Sequence, residues 1–393
     1  MQTENSLIRS QYRAHSFTII VALCAVLIAF MNVGKSHAHE IQPSIADLKL
    51  ISENRYQIEI QTNVEALLAK IGPEHDDTEQ SDNAKAYNDL RASAPQKVLD
   101  VFEGFKGGLL NDVMLSFDGK RAALKSVRLE VPEIGDIALP RDSLLVFEGD
   151  VPAGAKNFEW QWPEAYGASV IRLNEPGIAK DDGYAAYLKE GAKSDSIALV
   201  NAAPQTMWQT IVSYVEIGFT HIIPKGLDHI LFVVGLFLLS VKLKPLLWQV
   251  TAFTIAHTVT LALGMLGYIT LSPAIVEPII AASIAYVAIE NILTDKLNKW
   301  RPIIVFCFGL LHGLGFAGVL GEIGLSSTNF VTGLIAFNVG VELGQLAVLA
   351  LCFLCVGIWF GQKPWYRKFI SIPASLLIAA VALWWVYERV FIV

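Results

Sequence analysis

The chain has 393 residues, 53% of them hydrophobic and 17% charged, with a net charge of -7. That length holds two domains, and the mixture fits a soluble part joined to a membrane part rather than one uniform globule. The acidic balance argues against a nucleic-acid partner, and because Cys24, Cys307, Cys352 and Cys355 all lie in apolar runs, no disulfide scaffold is expected in residues 39–205.

Residues 1–38 read as a signal peptide. Arg9 and Arg13 form a basic flank, Phe17 to Val33 an apolar stretch, and Ser36-His37-Ala38 a small-x-small cleavage site. An uncleaved anchor is the alternative, and either one exports the segment downstream of it. Cleavage after Ala38 would make His39 a new N-terminus and a candidate metal ligand.

Residues 39–205 read as a mainly β extracytoplasmic domain. Short runs at Ile45–Ile51, Tyr56–Gln61, Val113–Phe117, Leu144–Phe147, Phe158–Trp162 and Ser169–Leu173 are bounded by Gly, Pro, Asp and Asn. Residues 64–108 have helical texture, interrupted by Glu74-His75-Asp76-Asp77, which reads as a solvated loop in preference to a metal trap. The expected architecture is a β-sandwich with a helical insertion. An unknown protein or small ligand is a further partner this domain is suited to hold.

From residue 206 the composition becomes that of a helical membrane bundle. Apolar stretches at about 211–241, 246–266, 273–294, 302–320, 331–360 and 369–388 each approach the ~20 residues that span a bilayer, giving about six helices in contact with lipid. Lys242 and Lys244, then Lys296, Lys299 and Arg301, then Lys363, Arg367 and Lys368 fall on alternate links. The opposite side offers only Lys225 and Arg389, so the basic links are expected in the cytoplasm and the N-terminal domain outside the inner membrane. Trp384, Trp385 and Tyr387 read as an interfacial belt, and Cys352 and Cys355 as packing residues in preference to soft-metal ligands. No phosphate-binding loop of the Walker type occurs.

Four of the eight histidines, His221, His229, His257 and His312, lie in the membrane part, with Asp228, Glu290, Asn338, Glu342 and Gln345. Ionisable groups are costly inside a bilayer and normally face a cavity or one another. Counted along each helix, His229, His257, His312 and Glu342 fall roughly 15–18 Å from a membrane face, near the middle of the core, while Glu290 lies roughly 6 Å above the cytoplasmic edge. Asn338, Glu342 and Gln345 share one helix face. Pro224 and Gly226 interrupt the first stretch, which predicts a broken helix with His221 at the outer mouth and Asp228-His229 within. Phe253-x-x-x-His257 and Phe308-x-x-x-His312 recur on two helices of the same direction, by repeat or by chance. Imidazole and carboxylate together suit a borderline divalent ion such as nickel, zinc, cobalt or iron(II), among which ligand type does not choose.

These residues resemble the HupE/UreJ family. The resembling stretches are Gly218-Phe-Thr-His221 through Gly226-Leu-Asp-His229-Ile-Leu-Phe, Thr254-Ile-Ala-His257-Thr, Leu311-His312-Gly-Leu-Gly-Phe316-Ala and Phe337-Asn338-x-Gly-x-Glu342-Leu-Gly-Gln345. The resemblance implies a membrane protein associated with hydrogenase or urease maturation, a nickel permease, with His221, Asp228 and His229 at the metal motif. Two departures stand out: Ile222 follows His221 where the family has proline, and a long exported domain precedes the bundle. The alternatives to a permease are a membrane-embedded zinc hydrolase and a metal sensor or assembly factor. No His-Glu-x-x-His occurs to support the hydrolase.

Overall fold

The computed structural model describes residues 42–391, apart from 53, 74, 76–77, 79–80, 136–139, 176–182, 270 and 324–328. The expected signal peptide, Cys24, His39 and most of the Glu74–Asp77 stretch lie outside the described residues. The chain forms two compact units. One comprises residues 42–216 and 316–337, the other residues 217–315 and 338–391.

The first unit is built on two sheets. β1 (Ser44–Ser52), β2 (Arg55–Asn63), β5 (Ser126–Glu130), β6 (Asp142–Asp150), β8 (Ser169–Asn174) and β9 (Tyr184–Leu188) form a six-stranded sheet in the order β5-β6-β2-β1-β8-β9. β3 (Met114–Phe117), β4 (Lys120–Arg121), β7 (Asn157–Gln161) and β10 (Ile197–Ala198) form a four-stranded sheet in the order β10-β7-β3-β4. Period-two burial explains the pairing of the faces. On β2, Tyr56, Ile58 and Ile60 point inward and alternate with more exposed Gln57, Glu59 and Gln61. They meet Leu115, Phe117, Phe158 and Trp160 of the smaller sheet in one core. The expected sandwich is therefore present, although β1 and β8 run parallel.

Three helices, α1 (Val64–Leu68), α2 (Ala84–Arg91) and α3 (Pro95–Asp112), make up the insertion. Its anchor is a buried ion pair, Arg141 to Glu65 at 2.6 Å, with side-chain exposures of 3% and 0%. Arg141 also donates to the carbonyls of Leu90, Ser93 and Pro132, so one guanidinium closes α2 against the strand β6. At the β3–β4 turn, the backbone N–H groups of Lys156 and Asn157 donate to Asp118 and hold its carboxyl below the usual carboxylate range.

The remaining helices are α4 (Met207–Ile222), α5 (Leu227–Leu239), α6 (Leu243–Met265), α7 (Pro273–Leu293), α8 (Arg301–Ile323), α9 (Phe330–Cys352) and α10 (Ile372–Phe391). A π-helical turn at Phe353–Gly357 prolongs α9, and another at Arg367–Ser371 precedes α10. Among the described residues, five helices are long and apolar enough to cross a membrane, and the pair α4–α5, bent by 70°, makes up to six. The break predicted at Pro224 and Gly226 is where the bend occurs. Trp248, Trp300 and Trp359 are exposed at the ends of α6, α8 and α9 that adjoin the basic links. Trp384 and Tyr387 are exposed near the end of α10, as a belt requires, but Trp385 is buried beneath Arg389, 5.6 Å from its ring. Of the two cysteines expected to pack, Cys352 is half-buried, whereas Cys355 is exposed.

A polar knot ties the basic ends of the bundle. Asn291 on α7 donates to the Gly235 carbonyl of α5 at 2.8 Å and to Ser375 of α10 at 3.2 Å. Its own side-chain oxygen accepts from Arg301 at 3.2 Å, and Arg367 donates to the Asn291 and Ile292 carbonyls at the end of α7. Arg301 also pairs with Glu290 at 3.4 Å, so this arginine, expected on an aqueous link, is buried.

Removing one partner of a buried pair strands the other charge, whereas an exposed pair is worth little. Arg141→Ala is therefore expected to destabilise the β unit by about 3–5 kcal/mol, read as lost hydrogen-exchange protection in β2 and β6. Lys125→Ala, which breaks the exposed Lys125–Asp150 pair, should cost under about 1 kcal/mol.

Candidate metal centre

The site forms where α4 ends, α5 begins and α6, α8 and α9 pass. His221 occupies the last turn of α4 and His229 the first turn of α5, so the bend folds one histidine back onto the other. Their ring centroids are 4.9 Å apart. Despite the six residues between His221 and Asp228, the motif thus closes in space.

Close helix approach supplies the other two rings. Gly309 and Gly313 on α8 form a small-x-x-x-small pattern of the kind that lets helix backbones touch in a membrane. A Cβ at Gly309 would collide with the Phe253 backbone, and one at Gly313 with the His257 backbone and Thr260 Oγ1. These contacts lay α8 on α6 and bring His257 and His312 inward. The two Phe-x-x-x-His motifs meet here: the Phe253 ring lies 4.9 Å from His312, edge to face.

The nitrogen atoms of His221, His229 and His257 that could ligate all lie within 4.8 Å of one another. His312 stands beside them, its ring 4.9 Å from that of His229. Hydrogen bonds at the far ring nitrogen orient three of the four. His229 Nδ1 lies 2.9 Å from Asp228 Oδ1, His257 Nδ1 3.0 Å from Asn338 Oδ1, and His312 Nδ1 2.9 Å from the Phe308 carbonyl. All three partners are acceptors, so each Nδ1 carries a proton, and in the neutral ring Nε2 keeps its lone pair. Nε2 of His229 and of His312 is buried without a hydrogen-bond partner among the described residues. Imidazoles directed by carboxylate, amide and carbonyl oxygens are the usual surroundings of a metal-binding histidine.

The expected site residues therefore divide. His221, His229, His257 and His312 gather, with Asp228 and Asn338 behind the rings. Glu342 is engaged elsewhere, accepting from Thr251 Oγ1 at 2.8 Å and from Thr254 Oγ1. Glu290 is engaged with Arg301 in the basic-end knot. Gly309, Gly313 and the Phe308 carbonyl are the residues that sequence reasoning missed; the Gly-x-x-x-Gly spacing around His312 was the available signal.

Gly313→Val should abolish divalent-ion binding by forcing α8 away from α6, while Gly318→Val, where a Cβ meets nothing within 4 Å, should leave it intact. Metal content of the two purified variants, together with their unfolding transitions, checks this.

No curated protein and no solved structure matches the chain. Residues 197–389, which contain every histidine of the cluster, match the family model described as HupE / UreJ protein. Through this part the chain belongs to the HupE/UreJ family, multi-pass membrane proteins related to metal transport.

Proposed function

We propose that the protein is a permease for a borderline divalent metal ion, nickel foremost, that carries the ion across the inner membrane toward the cytoplasm. The observation that carries this reading is the convergence of three histidines within 4.8 Å, with His312 beside them, inside apolar helices. Imidazole nitrogen favours nickel, zinc, cobalt or iron(II) over magnesium and calcium, which prefer oxygen. Within that group, the HupE/UreJ match points to nickel or cobalt.

His221, His229, His257 and His312 bind the ion through nitrogen. Asp228 orients His229 and offsets part of the cation's charge, and Asn338 fixes the ring of His257. The site lies at a break between helices, the arrangement by which transporters admit an ion to the membrane interior. Basic residues concentrated on the links after α5, α7 and α9 support an orientation with those links in the cytoplasm and residues 39–205 outside. Glu290, half-buried close to those links, would meet the ion on its way out.

Cells expressing the protein should accumulate nickel faster than controls, and His229→Ala should remove the gain. Asp228→Asn keeps the shape of the side chain but weakens its hold on His229, and should reduce metal affinity about 10–100-fold. Titration of purified protein measures that affinity. Unchanged accumulation of every divalent metal in both variants defeats the reading.

A further inference from the structure

A second polar cluster lies beside the histidines, between α6 and α9, and the proposed metal chemistry does not use it. Thr251 and Thr254 face α9 from α6; Glu342 and Gln345 face α6 from α9. Thr251 Oγ1 donates to Glu342 Oε1 at 2.8 Å. Thr254 Oγ1 touches Glu342 Oε2, Gln345 Oε1 at 3.0 Å and the Val250 carbonyl at 3.2 Å.

A threonine hydroxyl has one proton to donate. Three acceptor oxygens surround the single hydroxyl of Thr254, so with Glu342 ionised two of those oxygen–oxygen contacts contain no proton. Gln345, with 0% exposure, leaves its Nε2 without a hydrogen-bond partner among the described residues. Reversing that amide satisfies the nitrogen at Thr254 but leaves the oxygen unpartnered in the same place. Glu342 meets only hydroxyl donors and forms no ion pair among the described residues. A carboxylate in a membrane span with only neutral partners leaves its charge uncompensated. The cluster has too many oxygens and lacks one positive charge.

We propose that Glu342, Thr251, Thr254 and Gln345 form a binding site for a monovalent alkali cation, sodium. The donors are carboxylate, hydroxyl and amide oxygens, the hard set that suits ions of this kind. One carboxylate charge matches one cation charge. Contacts of 2.8–3.0 Å between the side chains favour a small ion over a large one. Sodium relieves the oxygen crowding at Thr254, because each lone pair then faces a cation.

The two clusters share their helices. Thr254 lies one turn from His257 on α6, and Glu342 one turn from Asn338 on α9, on the faces that meet in the His257–Asn338 hydrogen bond. Sodium bridging α6 and α9 therefore steadies the adjoining turn that presents His257. Binding of the two ions is coupled, and the coupling acts in both directions. The coupling, though not the sodium site itself, rests on the permease reading.

The test uses the full-length chain in detergent, without divalent metal. Sodium chloride replaces choline chloride at constant ionic strength, and sodium binding is followed by sodium-23 NMR and calorimetry. Saturable binding is expected in the wild type and in Thr251→Ser, which keeps the hydroxyl, but not in Thr254→Val or Glu342→Gln. Nickel affinity should then rise about fivefold or more in sodium over choline, and this rise should vanish in Thr254→Val. Absence of saturable sodium binding in wild-type protein that still unfolds cooperatively overturns the proposal, as does sodium binding unchanged in Thr254→Val. Nickel affinity that follows pH but not sodium identifies a proton at Glu342 instead, and also overturns it. Sodium binding without any nickel binding upholds the sodium site and removes the permease reading alone.

Discussion

A buried imidazole has two ring nitrogens to satisfy, and an apolar bundle offers few partners. Three of the clustered histidines solve half of this problem internally, each by donating a hydrogen bond from its Nδ1–H to an oxygen of Asp228, Asn338 or the Phe308 carbonyl. Nitrogens of His221, His229 and His257 come within 4.8 Å of one another, and the His312 ring stands beside that of His229. A site of this kind is organised from behind, since the hydrogen bonds outside the ring set fix the direction of each lone pair before any ion arrives. Packing serves the same end. Gly309 and Gly313 give up side chains so that α8 can touch the α6 backbone, and the Asn291–Arg301–Arg367 knot fixes the basic ends of four helical segments. The bundle thus has a pinned base and a cluster of nitrogens in its interior.

Much of this was legible in the chain. The six β-runs named from the sequence lie on β1, β2, β3, β6, β7 and β8, because alternation of apolar and polar residues reports a half-buried strand directly. The strands β5 and β9 were missed because Ser126–Glu130 is short and charged and Tyr184–Leu188 carries two alanines; these strands are held by neighbours more than by propensity. The parallel pairing of β1 with β8 joins segments more than a hundred residues apart, and no local pattern encodes it.

The site was legible in one dimension. Counting residues places His229, His257, His312 and Glu342 at similar depth, but depth along a helix says nothing of the direction each side chain takes around it. The histidines turn toward one another; Glu342 turns to Thr251 and Thr254. Arg301 is the converse case. Its position beside Lys296 and Lys299 marks it as a link residue, yet burial with Glu290 and Asn291 makes it part of the bundle. Charge counts see composition, whereas partners decide location.

The 70° bend between α4 and α5 has a mechanical consequence. His221 and His229 sit on opposite arms of an elbow, so an ion held by both acts as a strut across the joint. Straightening the elbow draws the two rings apart, and what fastens the strut also determines when it lets go. In the permease proposed above, capture and discharge would be two positions of one lever, with Pro224 and Gly226 at its fulcrum.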